Sequence, residues 1–254
     1  MPWRRLVQRY PRVESFVDRR LDAETAFGRH VTLGVLCAGV GIGLFTLISF
    51  YAGRGPDGAS LDTSWNAAFF RHAFQTPSAA DLFRVITDLG DTPFLAMLTA
   101  VVAVALGLRG LRRRKYALLG ALWIVCALGG ALLNFLLKDV FQRQRPALHI
   151  IAVGGWSFPS GHAMGSFVVY GMLAYLLLRV VRRPLPRKLI LIGAVVLIGL
   201  IGFSRVYLGA HWPSDVLGGW NAGAVWLALC ISTAETMRRQ HLRDDSANSN
   251  ERPG

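Results

Sequence analysis

Long apolar runs separated by short charged blocks set the plan of this chain. Six runs stand out, at about 31–51, 92–108, 116–137, 162–181, 188–203 and 215–236. A helix needs about 17–25 mostly apolar residues to cross a bilayer, and the second and fifth runs lie at the short end of that range. The pattern predicts an all-α fold, a six-transmembrane helix bundle. The longest connection, 52–91, opens on Gly53, Gly55, Pro56 and Gly58, a loop signal. Leu61, Trp65, Phe69, Phe70 and Phe74 then recur at helical spacing, as in a helix lying in the membrane interface. That helix serves either as a lid for lipid entry or as packing on the bundle. Residues 12–29 read as a similar interfacial helix. No internal repeat is visible. The chain therefore divides into an amino-terminal segment (1–30), a six-span membrane domain (31–236) and a polar tail (237–254). The tail lacks apolar anchors beyond Arg243 and is expected to be disordered.

Composition supports the membrane reading. Of 254 residues, 53% are hydrophobic and 17% charged, against about 25% charged in soluble domains. A net charge of +13 could suggest nucleic acid. However, the cations flank apolar runs, with no basic face, zinc-finger spacing or RNA-binding aromatic signature, so no nucleic-acid partner is expected. Twenty-one of the 28 Lys and Arg fall in the first 30 residues, the 109–115 and 179–188 connections and the tail. The positive-inside bias then puts both termini in the cytoplasm and the other connections outside. Cys37, Cys126 and Cys230 sit inside apolar runs without metal-ligand spacing and read as small buried hydrophobes. No cleavable signal peptide is apparent, and the first run is expected to remain as an anchor.

Three polar strings interrupt this apolar chain, all on the predicted outer side: Lys138-(six residues)-Arg145-Pro146, Pro159-Ser160-Gly161-His162, and Ser204-Arg205-(five residues)-His211-(three residues)-Asp215. In the first, a continuing helix would set Lys138 and Arg145 on one face, nearly two turns apart, with Pro146 ending the element. Arg offers phosphate a planar fork and Lys a compact charge. In the second, Ser160 suits a helix N-cap, Gly161 allows close backbone approach, and the free N–H groups of the helix start face an anion. His162 stands in the same first turn. In the third, Pro213 suits the first position of the last helix, which places Asp215 in its first turn. An aspartate bonded to one nitrogen of His211 would fix its tautomer and leave the other free to attack. Each string alone also has a plain reading: snorkelling cations, a capped helix, a structural His–Asp contact. A metal site of His149, His162, His211 and Asp215 is disfavoured, because three cations in the same pocket would repel a divalent ion.

Together and in this order, the strings resemble the type 2 phosphatidic acid phosphatase family, which shares its core with vanadium-dependent haloperoxidases. The resemblance covers 138–215 at the motifs and about 31–236 in layout. It implies that Lys138, Arg145, Ser160, Gly161 and Arg205 bind phosphate, with no metal and no cofactor. It further implies His211 as nucleophile, Asp215 as its orienting partner and His162 as general acid. The expected protein is thus a bacterial inner-membrane lipid phosphatase with an extracytoplasmic active site and a phosphohistidine intermediate. An undecaprenyl diphosphate-type substrate is favoured, then phosphatidylglycerol phosphate or phosphatidic acid. A lipid phosphotransferase would use the same residues, and a lipid or anion transporter could use the cations alone. A vanadate-dependent oxidase fits a chain built for lipid less well.

Overall fold

The computed structural model describes residues 29–54 and 60–250. Eight helices account for most of them, with no strand among the described residues. They are α1 (Arg29–Ala52), α2 (Ser60–Gln75), α3 (Pro77–Asp88), α4 (Thr92–Gly110), α5 (Arg114–Phe141), α6 (Gly161–Val180), α7 (Pro184–Tyr207) and α8 (Pro213–Asn250). Among the described residues, six stretches are long and apolar enough to span a membrane: Gly34–Ala52, Pro77–Gly110, Arg114–Phe141, Gly161–Val180, Pro184–Tyr207 and Pro213–Thr236. These coincide with the six apolar runs.

Helix starts follow local chemistry. Proline stands in the first turn of α3, α4, α7 and α8, where its missing N–H has no helical partner to lose. Starting at Pro184, α7 is longer than its apolar run and carries Arg205 in its last turn. The 52–91 connection holds two helices where the sequence pattern suggested one. The second, α3, runs for 12 residues and buries Ala80 and Thr87; only Thr76 separates it from α2. Three expectations need correction. First, Lys138 and Arg145 do not share a helix: α5 stops at Phe141, Gln142 turns left-handed (φ 43°), and its N–H bonds the Lys138 carbonyl at 3.0 Å. Arg145 therefore arrives on the irregular 142–160 segment. Second, α8 continues to Asn250 instead of giving way to a disordered tail after Arg243. No Gly or Pro interrupts 237–250, and a formed helix extends at the cost of one residue per added bond. Third, Cys37 is exposed, unlike Cys126 and Cys230. The expectations for residues 1–28 lie outside the described residues.

Gly41–Leu227 forms one compact unit, and the site lies wholly within it. There α5 packs on α4 and α6, α7 on α6, α3 and α2, and α6 on α4. Small residues let α8 approach α6: a Cβ on Gly219 would lie 2.7 Å from the Ser160 carbonyl oxygen, the close backbone contact that membrane helices favour. Phe69, Phe83, Phe203 and Tyr207 interlock edge-on or tilted, with centroids 4.5–6.2 Å apart. They fix α2 and α3 against the end of α7 that carries Arg205. The residues 29–40 and 228–250 belong to a second unit, where a side chain on Gly34 would collide with Ser232.

Candidate active site

The ends of α5, α6, α7 and α8 deliver the three strings. After α7, Gly209 takes φ +74°, and any Cβ there would strike the Leu148 carbonyl. This glycine turn brings His211 back, its N–H bonded to the Arg205 carbonyl at 3.2 Å. Asp215, in the first turn of α8, reaches back to accept the Trp212 N–H at 2.9 Å, half of a capping box. The same oxygen faces His211 Nδ1 at 3.3 Å and accepts the Ser157 hydroxyl. Its other oxygen accepts Arg143 Nη1 at 2.6 Å. The Asp215 side chain is fully buried, and every partner it has is a donor.

The tautomer of His211 follows from these contacts. Its Nε2 lies 3.1 Å from Arg145 Nη1. A guanidinium can only donate, so Nε2 presents its lone pair and Nδ1 carries the hydrogen, facing Asp215. Burial pushes the imidazole down to about 3, with the Arg145 and Lys138 charges in support and Asp215 opposing. His211 is therefore a neutral base with a free nitrogen directed at a cation. The unfolded chain takes up this proton near 6.5, so between about 6.5 and 3 it binds a proton that the folded protein refuses. The stability contributed by this histidine is complete above 6.5 and is lost as pH falls. The thermal midpoint of the detergent-solubilised protein should fall more steeply between about pH 6.5 and pH 4 than that of His211→Gln; parallel slopes would contradict a buried neutral ring.

The three cations of the strings are held by backbone carbonyls and by Thr87. Lys138 Nζ donates to the Trp156 carbonyl at 2.5 Å. Arg145 spreads over the carbonyls of Gly154 (2.8 Å), Gly155 (3.0 Å) and Ala210 (2.7 Å). Beside it opens a cavity of about 410 Å³, lined in part by Gln144, His149, Gly154 and Trp156. Arg205 is buried and donates from Nη1 to Thr87 Oγ1 at 2.8 Å, while its Nε has no partner. Ser160 occupies the N-cap of α6, yet its hydroxyl makes no capping bond and is buried without a partner; its N–H bonds the Asp215 carbonyl at 2.9 Å. A Cβ on Gly161 would come within 3.1 Å of Asn134 Oδ1. His162 Nε2 lies 2.5 Å from Asp91 Oδ1, and the charges of Arg205 and Arg145 both act on the ring. Among the described residues, no group of three His, Cys, Asp or Glu is arranged to hold a metal ion. Two buried donors, Ser160 Oγ and Arg205 Nε, thus stand uncommitted in a cationic pocket, a set suited to an oxyanion.

Five contributors were not singled out from sequence. Arg143, inside the first string, joins Asp215 to Asp62 at 2.7 Å. Asp62, at the start of α2, accepts the Ser214 N–H at 2.9 Å and its hydroxyl at 2.5 Å. These bonds, with the aromatic cluster, fasten α2 behind the His211–Asp215 pair and favour packing over a lid. Ser157, Thr87 and Asp91 complete the set. Only Arg143 lay within a recognisable motif.

Comparison with known proteins places the chain in a family. The family model described as PAP2 superfamily matches residues 117–239, which hold all three strings. Phosphatidylglycerophosphatase B of Bacillus subtilis is 35% identical over 160 residues, covering 61% of this chain and 74% of that protein. An undecaprenyl-diphosphatase of Bacillus subtilis is 28% identical over 134 residues, covering 50% of this chain and 63% of its own length. The crystal structure of a transmembrane PAP2 type phosphatidylglycerolphosphate phosphatase from Bacillus subtilis superposes with a TM-score of 0.63 and 28% identity, over 75% of this chain and 94% of that one. With its sequence shared along most of a curated relative and its helical frame along nearly all of a solved structure, this multi-pass membrane protein belongs to the PAP2 superfamily.

Proposed function

We propose that the chain hydrolyses the phosphate of a membrane lipid at this pocket, with His211 as nucleophile. The observation that carries the reading is the His211 ring itself, held neutral with Nδ1 toward Asp215 and the Nε2 lone pair at 3.1 Å from Arg145. A phosphate monoester carries about −1.5 to −2 charges. Lys138, Arg145 and Arg205 answer that charge, and the Ser160 hydroxyl and Gly161 N–H add neutral donors. In the first step, Nε2 attacks phosphorus, the P–O bond to the lipid breaks, and His162 gives a proton to the departing oxygen. In the second, water attacks the phosphohistidine, returns a proton to His162, and frees phosphate and His211. The charge that spreads over the phosphoryl oxygens in each transition state is what the three cations stabilise.

The superfamily relatives named above act on phosphatidylglycerophosphate or undecaprenyl diphosphate. For this chain the reading is a lipid phosphate or diphosphate whose tail stays in the bilayer, with an undecaprenyl diphosphate-type carrier first and phosphatidylglycerol phosphate or phosphatidic acid next. The distribution of Lys and Arg supports an inner-membrane protein with both termini in the cytoplasm and the site outside.

The test is phosphate release by the purified full chain across a panel of lipid phosphates and diphosphates, with chelator present throughout. Release that persists in chelator is expected. A chain that releases phosphate from no lipid sinks the reading, and transfer to an added acceptor lipid in preference to water makes it a phosphotransferase. Cysteines replacing the exposed Leu148 and Ala152 should react with impermeant reagent from outside the cell. Labelling only from the cytoplasm reverses the topology.

A further inference from the structure

The turn between α3 and α4 is shaped around the general-acid histidine. Asp91 is the N-cap residue of α4, a position where an aspartate normally accepts an N–H of the first turn. Here its side chain makes no capping bond. The carboxylate instead meets His162 Nε2 at 2.5 Å. Gly90 beside it makes room for the ring: a Cβ there would lie 3.2 Å from His162 Cδ2 and 2.5 Å from Ile201 Cγ2. The turn is tied to α6, the helix of His162, by a bond from Tyr170 Oη to the Leu89 carbonyl at 2.7 Å. One turn earlier, Thr87 takes the Arg205 guanidinium. The α3–α4 turn therefore holds one residue from each of the second and third strings.

From this arrangement, and resting on the hydrolytic reading above, the geometry points to Asp91 as the positioning residue of the general acid. The Cδ2–Nε2 edge of the ring faces the turn, so Nδ1 lies on the opposite edge. Asp91 keeps a hydrogen on Nε2 and fixes the ring plane. The proton that neutralises the leaving oxygen travels from Nδ1 as the P–O bond breaks, and the ring is left neutral with its Nε2–H still on Asp91. Water gives the proton back to Nδ1 in the second step. Asp91 touches no reacting atom and acts only through His162. Its side chain is 46% exposed, and ion pairs so exposed add little to stability. Loss of the carboxylate should therefore act on turnover and leave the fold intact.

Asp91→Ser keeps an N-cap residue and removes the carboxylate; Asp91→Glu retains it. With phosphatidic acid, whose alkoxide leaves poorly without a proton, Asp91→Ser should lower kcat by about 10–100-fold, part of the 10²–10⁴ typical of general acid catalysis, with KM nearly unchanged. With p-nitrophenyl phosphate, whose phenolate leaves unaided, the loss should stay within about threefold. Asp91→Glu should recover part of the phosphatidic acid rate. In a His162→Ala background, Asp91→Ser should add no further loss on p-nitrophenyl phosphate. Equal losses on both substrates, or an undiminished effect without His162, would overturn the assignment and leave Asp91 a structural residue. A wild-type chain inactive on every lipid phosphate would instead strike at the hydrolytic reading, and this assignment would fall with it.

Discussion

His211→Ala is expected to reduce phosphate release by about 10⁴-fold or more, because removing one member of a nucleophilic unit costs nearly as much as removing the whole unit. The physical reason is specific. Arg145, Lys138, Arg205 and Ser160 would still bind the phosphate, so substrate affinity should survive while kcat collapses. Water cannot take over readily, since the buried place of Nε2 is walled by the donors that hold the anion. Rapid quenching with ³²P-labelled lipid should trap label on the wild-type chain, stable in base and lost in acid as a phosphohistidine is, and none on His211→Ala. Binding retained with phosphate release gone is the signature of a nucleophile. A His211→Ala protein that still turns over at more than about a hundredth of the wild-type rate would show that another group attacks phosphorus.

The chain announces its spans and hides their faces. Six apolar runs became six membrane-capable helices because a bilayer demands that length of unbroken apolar chain. Which side of each helix meets protein was not readable. Val35, Leu47, Leu128, Phe135 and Val195 are all exposed, while Trp123, Met164 and Ile201 are buried, yet all are equally at home in lipid or in a core. Cys37 shows the consequence: an apolar neighbourhood predicts burial in water-soluble proteins and says little here.

The site was legible to the extent that its residues break the apolar pattern. Each of Lys138, Arg145, Ser160, His162, Arg205, His211 and Asp215 stands at or just beyond the end of a span, and the structure links Arg145 to His211, His211 to Asp215, and Ser160 to Asp215. Their supports were hidden because they come from far along the chain. Asp62 pairs with a residue 81 positions away and Asp91 with one 71 away. Such pairs have no spacing rule. They exist because a charge near the membrane interior must find an opposite charge or a donor, and the fold alone decides which one is in reach.

Arg143 shows how strongly that requirement binds. Its guanidinium, only 11% exposed, donates to Asp215 at 2.6 Å and to Asp62 at 2.7 Å, two carboxylates that are 0% and 2% exposed. It also bonds the Ser214 hydroxyl at 2.7 Å and lies 5.5 Å from the Trp212 ring centroid. One cation therefore serves two buried anions, and Ser214 ties it to Asp62 a second time. Arg143→Met keeps most of the volume and removes the charge, so it should destabilise the protein by about 3–5 kcal/mol, the usual cost of stranding a buried charge. It should also depress kcat, since Asp215 loses the anchor that aims it at His211. Arg143→Lys should fall between, because an ammonium cannot serve both carboxylates in a fixed fork. The decisive comparison adds Asp62→Asn. In the wild-type background this change removes a partner of Arg143 and should destabilise. In the Arg143→Met background it removes one stranded anion and should restore stability. Opposite signs across the cycle, measured by thermal unfolding in detergent, are what a shared cation requires. The same loss from Asp62→Asn in both backgrounds would mean that α2 is held by packing alone, with the buried ion network contributing nothing to how His211 is aimed.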